Sequence, residues 1–431
     1  TSVGAYAFAG TGVQSVVVPG NVRTVGSNSF SGCASLQSVR LLDGVRTIAA
    51  NAFYGASALQ NVNIPNTVTE IGANAFNGCA SLTEVVVPNS VTSIGAGAFQ
   101  GCNALVKMTL PFVGGSRSTT SSTPKTLSRN WNNGSRYLFG YIFGGETYNN
   151  GNSSTGQSTN DLIYQGESAY IYGYSTYVDH YYFNRYYIPS SLRGIVITDA
   201  TGISANAFYG CTMLTSITLN EGITAIHTYA FYNCDGLTEM VIPESVTSIG
   251  TYGFANSGNL AKITLPNGLT EISDYTFQNC TTLASVNGNG EVIIGASVTS
   301  IGNYAFSGCA SITKVTLPNG LAEIGQAAFG DAVSLTQINI PASVVSIGAS
   351  AFNGGTNLVR INSETDGKII LQEGLESIGT GAFGGLGKIT EVVVPNSVTS
   401  IGAGAFQGCN ALTKMTLPFV GGSRSTTSST P

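Results

Sequence analysis

The stretch that decides the fold is LTEVVVPNSVTSIGAGAFQGC, residues 82–102. Its phenylalanine, Phe99, recurs at intervals of about 23 residues, usually within Ala-Phe and often followed by x-Gly-Cys. A fixed period of roughly 20 to 50 residues is typical of a solenoid, in which each repeat packs only on its neighbours. The period therefore predicts a repeat scaffold with a long exposed surface. The repeat phenylalanines are Phe8, Phe30, Phe53, Phe76, Phe99, Phe208, Phe231, Phe254, Phe277, Phe306, Phe329, Phe352, Phe383 and Phe406.

Each repeat predicts a short strand followed by a turn. Val85 and Val87 are two residues apart, so an extended backbone places both on one face, which we expect to be the buried face. Pro88 ends the strand because it cannot donate to a strand ladder. A second short extended piece follows, and residues 96–100 suit one helical or 3₁₀ turn that places Phe99 in the core. Successive repeats should pair their strands in parallel, giving about 15 coils.

The composition excludes several classes of protein. Hydrophobic residues make up 42% of the chain, which argues against general disorder. The net charge is -5 and no basic run occurs, so nucleic-acid binding is not expected. No apolar run approaches the roughly 20 residues of a membrane-spanning helix. No cofactor is predicted.

The cysteines are predicted to be packing residues. All eight lie three positions after a repeat phenylalanine, and where cysteine is absent this position mostly holds another small residue. Neighbouring coils bring Cys79 near Cys102, but parallel stacking suits disulfide geometry poorly. No CxxC motif occurs, and the spacing does not suit a zinc site. Free buried thiols and no metal site are therefore expected. The cysteines are Cys33, Cys79, Cys102, Cys211, Cys234, Cys280, Cys309 and Cys409.

The repeat lapses between Pro111 and Ser191. This segment, which we call the island, holds 12 of the 20 tyrosines and the only tryptophan. Two runs within it, 136–143 and 169–174, are predicted to form strands. The predicted organisation is a leucine-rich-repeat solenoid over 1–110, a tyrosine-rich β island over 111–191, a second solenoid over 192–420, and the start of a further island over 421–431. The last prediction rests on residues 390–431, which repeat 83–124 with a single difference.

The island is also the predicted binding element. Aromatic rings among Ser, Gly and Asn make good recognition surfaces because they give contact area at low entropic cost. The alternative is that these rings form the core of the island and cover the solenoid. No catalytic residue is predicted, because the two histidines, His180 and His227, are far apart in the sequence. The candidate binding residues are Trp131, Tyr137, Tyr141, Tyr170, Tyr172, Tyr174, Tyr177 and Tyr181.

Two smaller irregularities lengthen the spacing of the repeat. They lie at Val286–Ala296 and Asn362–Leu371, and each contains a strand-like apolar run. We expect them to form loops or hairpins that extend the sheet.

The repeat pattern LTxVxLPxSVTxIGxxAFxGC resembles the BspA-like leucine-rich-repeat family. Leu82–Cys102, Leu237–Phe254 and Ile389–Cys409 match it closely. The resemblance implies a secreted or surface-attached protein of the kind associated with adhesion to host matrix proteins, without catalytic residues. The predicted function is therefore an extracellular, non-catalytic binding or adhesion protein whose island contacts a host protein or glycan. The alternative is a structural module of a surface fibre or layer, with islands contacting like subunits.

Overall fold

The computed structural model describes residues 1–117, 138–149, 162–165, 168–170 and 181–418. For residues 145–149, 162–165, 168–170, 181–185 and 187 it describes the backbone alone. The chain divides into two compact units. Unit 1 contains Thr1–Ile223 and Cys234–Gly236, and unit 2 contains Thr224–Asn233 and Leu237–Pro431. Both consist of parallel coils of about 23 residues, about 15 turns in all, which confirms the predicted leucine-rich-repeat solenoid.

Unit 1 contains sixteen strands in its described residues. They are β1 (Ser2–Val3), β2 (Ser15–Val18), β3 (Thr24–Val25), β4 (Ser38–Leu41), β5 (Thr47–Ile48), β6 (Asn61–Asn63), β7 (Glu70–Ile71), β8 (Glu84–Val86), β9 (Ser93–Ile94), β10 (Lys107–Leu110), β11 (Gly145–Asn149), β12 (Leu162–Gln165), β13 (Ser168–Tyr170), β14 (Tyr181–Pro189), β15 (Gly194–Ile197) and β16 (Ser216–Thr218).

Two parallel ladders run through unit 1, because most of its coils contribute one strand to each ladder. The first ladder contains the sheets β2-β4-β6 and β8-β10-β15-β16, and the second is β1-β3-β5-β7-β9. Strand β10 pairs with β15 over four residues, from Lys107↔Gly194 to Leu110↔Ile197. The first ladder therefore continues across the island without a break.

Burial within a coil follows the sequence pattern. Val85 and Val87 are buried, whereas Val86 between them is 53% exposed, as the alternation predicts. The repeat phenylalanines stack on one another with nearly parallel rings, for example Phe53 on Phe76 at 5.4 Å between centroids. This buried column confirms the predicted core.

The turn that carries each phenylalanine is not a helix. In the coil of Phe99, the amides of Ala98 and Gln100 donate to the carbonyls three residues earlier, Gly95 and Gly97. Gly97 has φ +63°, which interrupts a right-handed helix after a single turn. The same position two residues before the phenylalanine is left-handed in other coils, where Asn51 and Asn74 occupy it.

The described part of the island is a β-sheet with one short helix. Strands β11, β12 and β13 all pair antiparallel with the long strand β14. This agrees with the predicted β-rich island. Strand β13 overlaps the predicted run 169–174 at Ala169 and Tyr170, and the rest of that run lies outside the described residues. The prediction of a strand over 136–143 is wrong for its described part, because Phe139–Phe143 forms a 3₁₀ helix. Its apolar residues are buried by the solenoid, so their density does not indicate a strand.

Unit 2 contains eighteen strands in its described residues. They are β17 (Ala225–Ile226), β18 (Glu239–Val241), β19 (Ser248–Ile249), β20 (Lys262–Thr264), β21 (Glu271–Ile272), β22 (Ser285–Val286), β23 (Val292–Ile293), β24 (Ser300–Ile301), β25 (Lys314–Thr316), β26 (Glu323–Ile324), β27 (Gln337–Asn339), β28 (Ser346–Ile347), β29 (Arg360–Ile361), β30 (Lys368–Ile370), β31 (Ser377–Ile378), β32 (Glu391–Val393), β33 (Ser400–Ile401) and β34 (Lys414–Thr416).

The first ladder of unit 2 contains two strands that have no counterpart in the second. Its order is β18-β20-β22-β23-β25-β27-β29-β30-β32-β34, and the second ladder contains β17-β19 and β21-β24-β26-β28-β31-β33. The extra strands come from the two irregular segments, which extend the sheet as expected. They are not hairpins, because β22 pairs with β23 and β29 with β30 in parallel. Asn287 and Asn362 adopt left-handed backbones immediately after the first strand of each pair and turn the chain into a shortened coil.

The cysteines are free and buried, as predicted. Most of them donate a hydrogen bond from Sγ to the phenylalanine carbonyl of the preceding coil, as Cys280 does to Phe254 at 3.2 Å. Ser257 occupies the same position and donates to Phe231 at 3.0 Å. The position therefore suits a small buried side chain, and cysteine or serine there adds a hydrogen bond to the preceding coil. Residues 421–431, predicted to begin a further island, lie outside the described residues.

Candidate functional site

Most of the aromatic residues predicted to bind a partner lie outside the part of the chain that the structure describes. Tyr170 and Tyr181 are described by their backbone alone, which places them opposite each other in β13 and β14. Tyr141 is the one predicted residue whose side chain is described, and it is half-buried. The residues outside the described ranges are Trp131, Tyr137, Tyr172, Tyr174 and Tyr177.

Tyr141 lies at the junction of the island and the solenoid. Its ring packs against Leu138 and Tyr186. It also lies directly over Gly115, where an added Cβ would come within 2.3 Å of the ring. The Tyr141 carbonyl accepts a hydrogen bond from the Gly97 amide at 3.1 Å. The residue therefore contributes to holding the island on the scaffold.

The first anchor of the island is the segment 111–117. The amide of Ile94 donates to the Gly115 carbonyl at 2.8 Å, and Ser93 forms an antiparallel bridge with Ser116. Arg117 then forms an ion pair with Asp199. This segment therefore pairs with β9 along the edge of the second ladder.

The second anchor is the 3₁₀ helix Phe139–Phe143, which takes the place of a missing turn. Phe99 donates its amide to the Ile142 carbonyl at 2.8 Å, just as Phe76 donates to Ala98 at 2.8 Å in a regular coil. On the other side, the Phe139 amide donates to Ala207 at 2.9 Å, and its ring lies 5.3 Å from that of Phe208. The island thus supplies one layer of the buried phenylalanine column.

A second aromatic feature lies in unit 2 and was not predicted. Tyr229, Tyr252, Tyr275 and Tyr304 occupy the left-handed position of four consecutive coils, with φ between 55° and 58°. Their half-buried rings stack at 4.7, 4.3 and 4.9 Å between centroids, within 11° of parallel. We call these four residues the tyrosine ladder. Tyr232 stands against it edge-on, at 71° to Tyr229.

The tyrosine ladder is not explained by the needs of the turn. Asn51 and Asn74 build the same turn in unit 1, and asparagine tolerates the left-handed region better than a bulky residue does. A left-handed backbone costs roughly 1–2 kcal/mol for most residues. Each stacked aromatic pair returns only roughly 0.5–1.5 kcal/mol. Stacking together with ring burial therefore offsets much of the strain of the four left-handed residues, and the tyrosines add ring edges and hydroxyl groups that asparagine would not provide.

The surroundings of the ladder are polar. The Gln326 side chain donates to the Tyr304 hydroxyl at 2.8 Å, and Asn279 donates to Asn256 at 2.8 Å. Burial, together with the neighbouring phenols, raises the pKa of Tyr252 to about 12. The pKa of Tyr229 is raised for the same reasons. These two phenols therefore keep their protons at neutral pH.

A groove of about 1240 Å³ lies beside β23 in unit 2 and is lined in part by the first shortened coil. Asn267, Asn287 and Lys262 contribute to its lining, which contains no aromatic residue. Its carboxylates are already engaged, since Glu291 lies 2.6 Å from Lys314 and Glu244 accepts a hydrogen bond from the Asn267 amide. The groove is therefore a weaker candidate than the ladder.

Neither a metal centre nor a membrane helix is found within the described ranges. No three His, Cys, Asp or Glu side chains there are grouped so as to hold a metal ion. No helix there combines the length and apolar character needed to cross a bilayer.

The ladder could have been found in the sequence. Its tyrosines each lie two residues before a repeat phenylalanine, in four successive repeats. What the sequence does not reveal is that this position is left-handed and directs the rings into one stack. From the sequence alone, the higher density of tyrosines in the island is therefore the stronger indication of a binding surface.

Comparison with known proteins agrees with the fold. The model of the BspA type leucine rich repeat region matches six copies over residues 1–115, 201–293 and 289–410, which together cover 325 of the 431 residues. No curated protein matches the chain.

Among solved structures, the chain is similar to a leucine-rich repeat protein from Bacteroides ovatus ATCC 8483. The two are 25% identical with a TM-score of 0.50, over 96% of this chain and 81% of that one. A leucine rich cell surface protein from Faecalibacterium prausnitzii A2-165 is 21% identical with a TM-score of 0.36, over 96% of this chain and 82% of that one.

Proposed function

The chain belongs to the BspA type leucine-rich-repeat family, whose members are typically not enzymes, and on this premise we propose that it is a non-catalytic binding protein. It works outside the cell, and its island contacts the partner. A repeat scaffold offers an extended surface for a partner protein. A protein partner is therefore favoured over a glycan.

The observation that carries this proposal is the pairing of β10 with β15. Because these strands join in full register, the first ladder does not require the 83 residues, 111–193, that separate them. The segments 111–117 and 139–143 are used to anchor the island. Residues 118–137 and 144–189 remain, and they hold most of the island tyrosines and Trp131. Insertions in repeat proteins commonly form the binding face.

The sheet of the island allows it to be shortened without disturbing its anchors. Glu146 of β11 lies opposite Arg185 of β14 in an antiparallel pair. Residues joined in this way can be connected by a two-residue Asn-Gly turn. Replacing residues 147–184 with Asn-Gly removes eight of the twelve island tyrosines and keeps both anchors. We call this the short-island variant.

The test compares binding of the intact chain and the short-island variant to immobilised fibronectin and fibrinogen, with a glycan array as a second arm. We expect the intact chain to bind a protein, and the variant to bind about tenfold more weakly or worse while unfolding at a similar temperature. Trp131→Ala tests the part of the island that the variant keeps. Unchanged binding by both variants would show that the contact surface lies elsewhere.

The same samples test the alternative of a structural module. Sedimentation of the intact chain over a range of concentrations would reveal self-association. Filaments that grow with concentration and disappear in the short-island variant would favour inter-subunit contacts over a foreign partner.

A further inference from the structure

The tyrosine ladder has a repeat distance that can be compared with those of polypeptide conformations. Its steps of 4.3 and 4.9 Å together span about 9.2 Å. A polyproline II helix rises about 3.1 Å per residue with three residues per turn, so its side chains return to the same face every ~9.3 Å. A β-strand returns every ~6.6 Å, which does not match. Every second tyrosine would therefore meet the same face of a polyproline II helix.

The stacking also limits which groups can bind. The faces of Tyr252 and Tyr275 are covered by ladder neighbours on both sides. A cation or a sugar that must lie on a ring face can reach only the ends of such a stack. What the ladder presents along its length is ring edges and hydroxyl groups. These suit a ligand that brings apolar rings together with hydrogen-bond acceptors.

Polyproline II segments have that chemistry. They form no internal backbone hydrogen bonds, so their carbonyl groups are available as acceptors. Proline-rich segments bind aromatic-lined grooves and lose little entropy because their conformation is already formed. In the ladder, the Tyr304 hydroxyl accepts from Gln326, so its own hydrogen can be donated outward. The edge-on ring of Tyr232 adds a side wall next to Tyr229 and Tyr252.

We propose that the tyrosine ladder binds a proline-rich segment of a partner protein in the polyproline II conformation. This surface lies in unit 2 and does not involve the island, which belongs to unit 1. The proposal therefore stands or falls independently of the function proposed for the island. It adds a second recognition surface to the chain.

The test uses a fluorescent peptide of roughly ten prolines, about 31 Å long, which exceeds the span of the ladder. Anisotropy titrations compare the intact chain with a variant carrying Tyr252→Asn and Tyr275→Asn. Asparagine occupies this position in unit 1, so the turn should be preserved, and thermal unfolding verifies it. Tyr6→Asn is the matched control, because Tyr6 occupies the same left-handed position in the first coil as an exposed residue of unit 1.

We expect the double variant to bind the peptide about tenfold more weakly or worse, and Tyr6→Asn and the short-island variant to bind it like the intact chain. A Gly-Ser peptide of equal length should not bind. The proposal is overturned if the proline peptide fails to bind the intact chain at millimolar concentration. It is also overturned if the folded double variant binds the peptide as tightly as the intact chain does.

Discussion

Replacing Phe139 with alanine should destabilise unit 1 by about 3–5 kcal/mol, the usual effect of removing a buried phenylalanine. The Phe139 ring is fully buried, lying 5.3 Å from Phe143 and 5.3 Å from Phe208 between ring centroids. Since the ring fills a layer of the phenylalanine column, its loss leaves a cavity that the stacked coils can close only in part. The loss of unfolding free energy should lie at the upper end of this range if no neighbouring side chain moves into the cavity.

The assay is urea unfolding followed by circular dichroism, with hydrogen exchange read by mass spectrometry to locate the effect. Phe8→Ala is the control, because Phe8 is 47% exposed and stacks on a single ring, and we expect it to cost about 1 kcal/mol. In the Phe139→Ala variant, faster exchange should appear in 138–143 and around Phe99 and Phe208. If the free energy of unfolding fell by less than about 1 kcal/mol, the reasoning would be refuted. Such a small change is expected only if the island were a separate unit on flexible linkers that does not complete the core of the solenoid.

Three further predictions concern the cysteines and the tyrosine ladder. Burial raises the pKa of Cys79 to about 12, so iodoacetamide at pH 8 should label it only after unfolding; rapid labelling of the folded chain would contradict the packing. Cys280→Ser should change the free energy of unfolding by less than about 1 kcal/mol, because the serine hydroxyl can still donate to the Phe254 carbonyl. Cys280→Val, which has no donor, should lower the free energy of unfolding by more. Equal losses of the two variants in urea unfolding would argue against a role for this hydrogen bond. The pKa of Tyr252 is raised to about 12, above an unfolded value near 10, so its contribution to stability is complete below pH 10 and is lost as the pH rises to 12. Tyr252→Asn should therefore lose less stability than the intact chain between pH 10 and pH 12. An unchanged dependence of the unfolding free energy on pH would be evidence against the shift.

The scaffold could be predicted because the coils bury equivalent positions of the repeat. Val85, Val87 and Phe99 are buried for reasons visible in their spacing, and the same spacing returns along most of the chain. The cysteines could be assigned to the core on the same grounds. Their hydrogen bonds to phenylalanine carbonyls could not, because these depend on which carbonyl of the preceding coil faces the thiol.

The errors arose where the backbone departs from the repeat. The run ending at Phe143 is apolar like a strand, but it packs against the solenoid as a 3₁₀ helix. Tertiary packing here overrides the local propensity for a strand. The segment after Asn287 was expected to form a loop or hairpin. A left-handed asparagine instead turns it into a parallel strand through a connection far shorter than the dozen or so residues usually needed.

The candidate site was harder to predict than the fold. The tyrosines of the ladder are separated by a full repeat, so their stacking is visible only once the coils are superimposed. The island was identified from composition, which shows where aromatic residues concentrate but not which of them face a partner. Tyr141 illustrates the difference, because its half-buried ring packs between the island and Gly115 of the scaffold.

The central claim is that the repeats build the scaffold and the island makes the contact. The most direct test measures two quantities on the same preparation of the short-island variant. These are its free energy of unfolding and its affinity for the protein that the intact chain binds. The account predicts an unfolding free energy within about 1 kcal/mol of the intact chain and a partner affinity reduced about tenfold or more. A variant that unfolds like the intact chain and binds the partner equally well would contradict the claim.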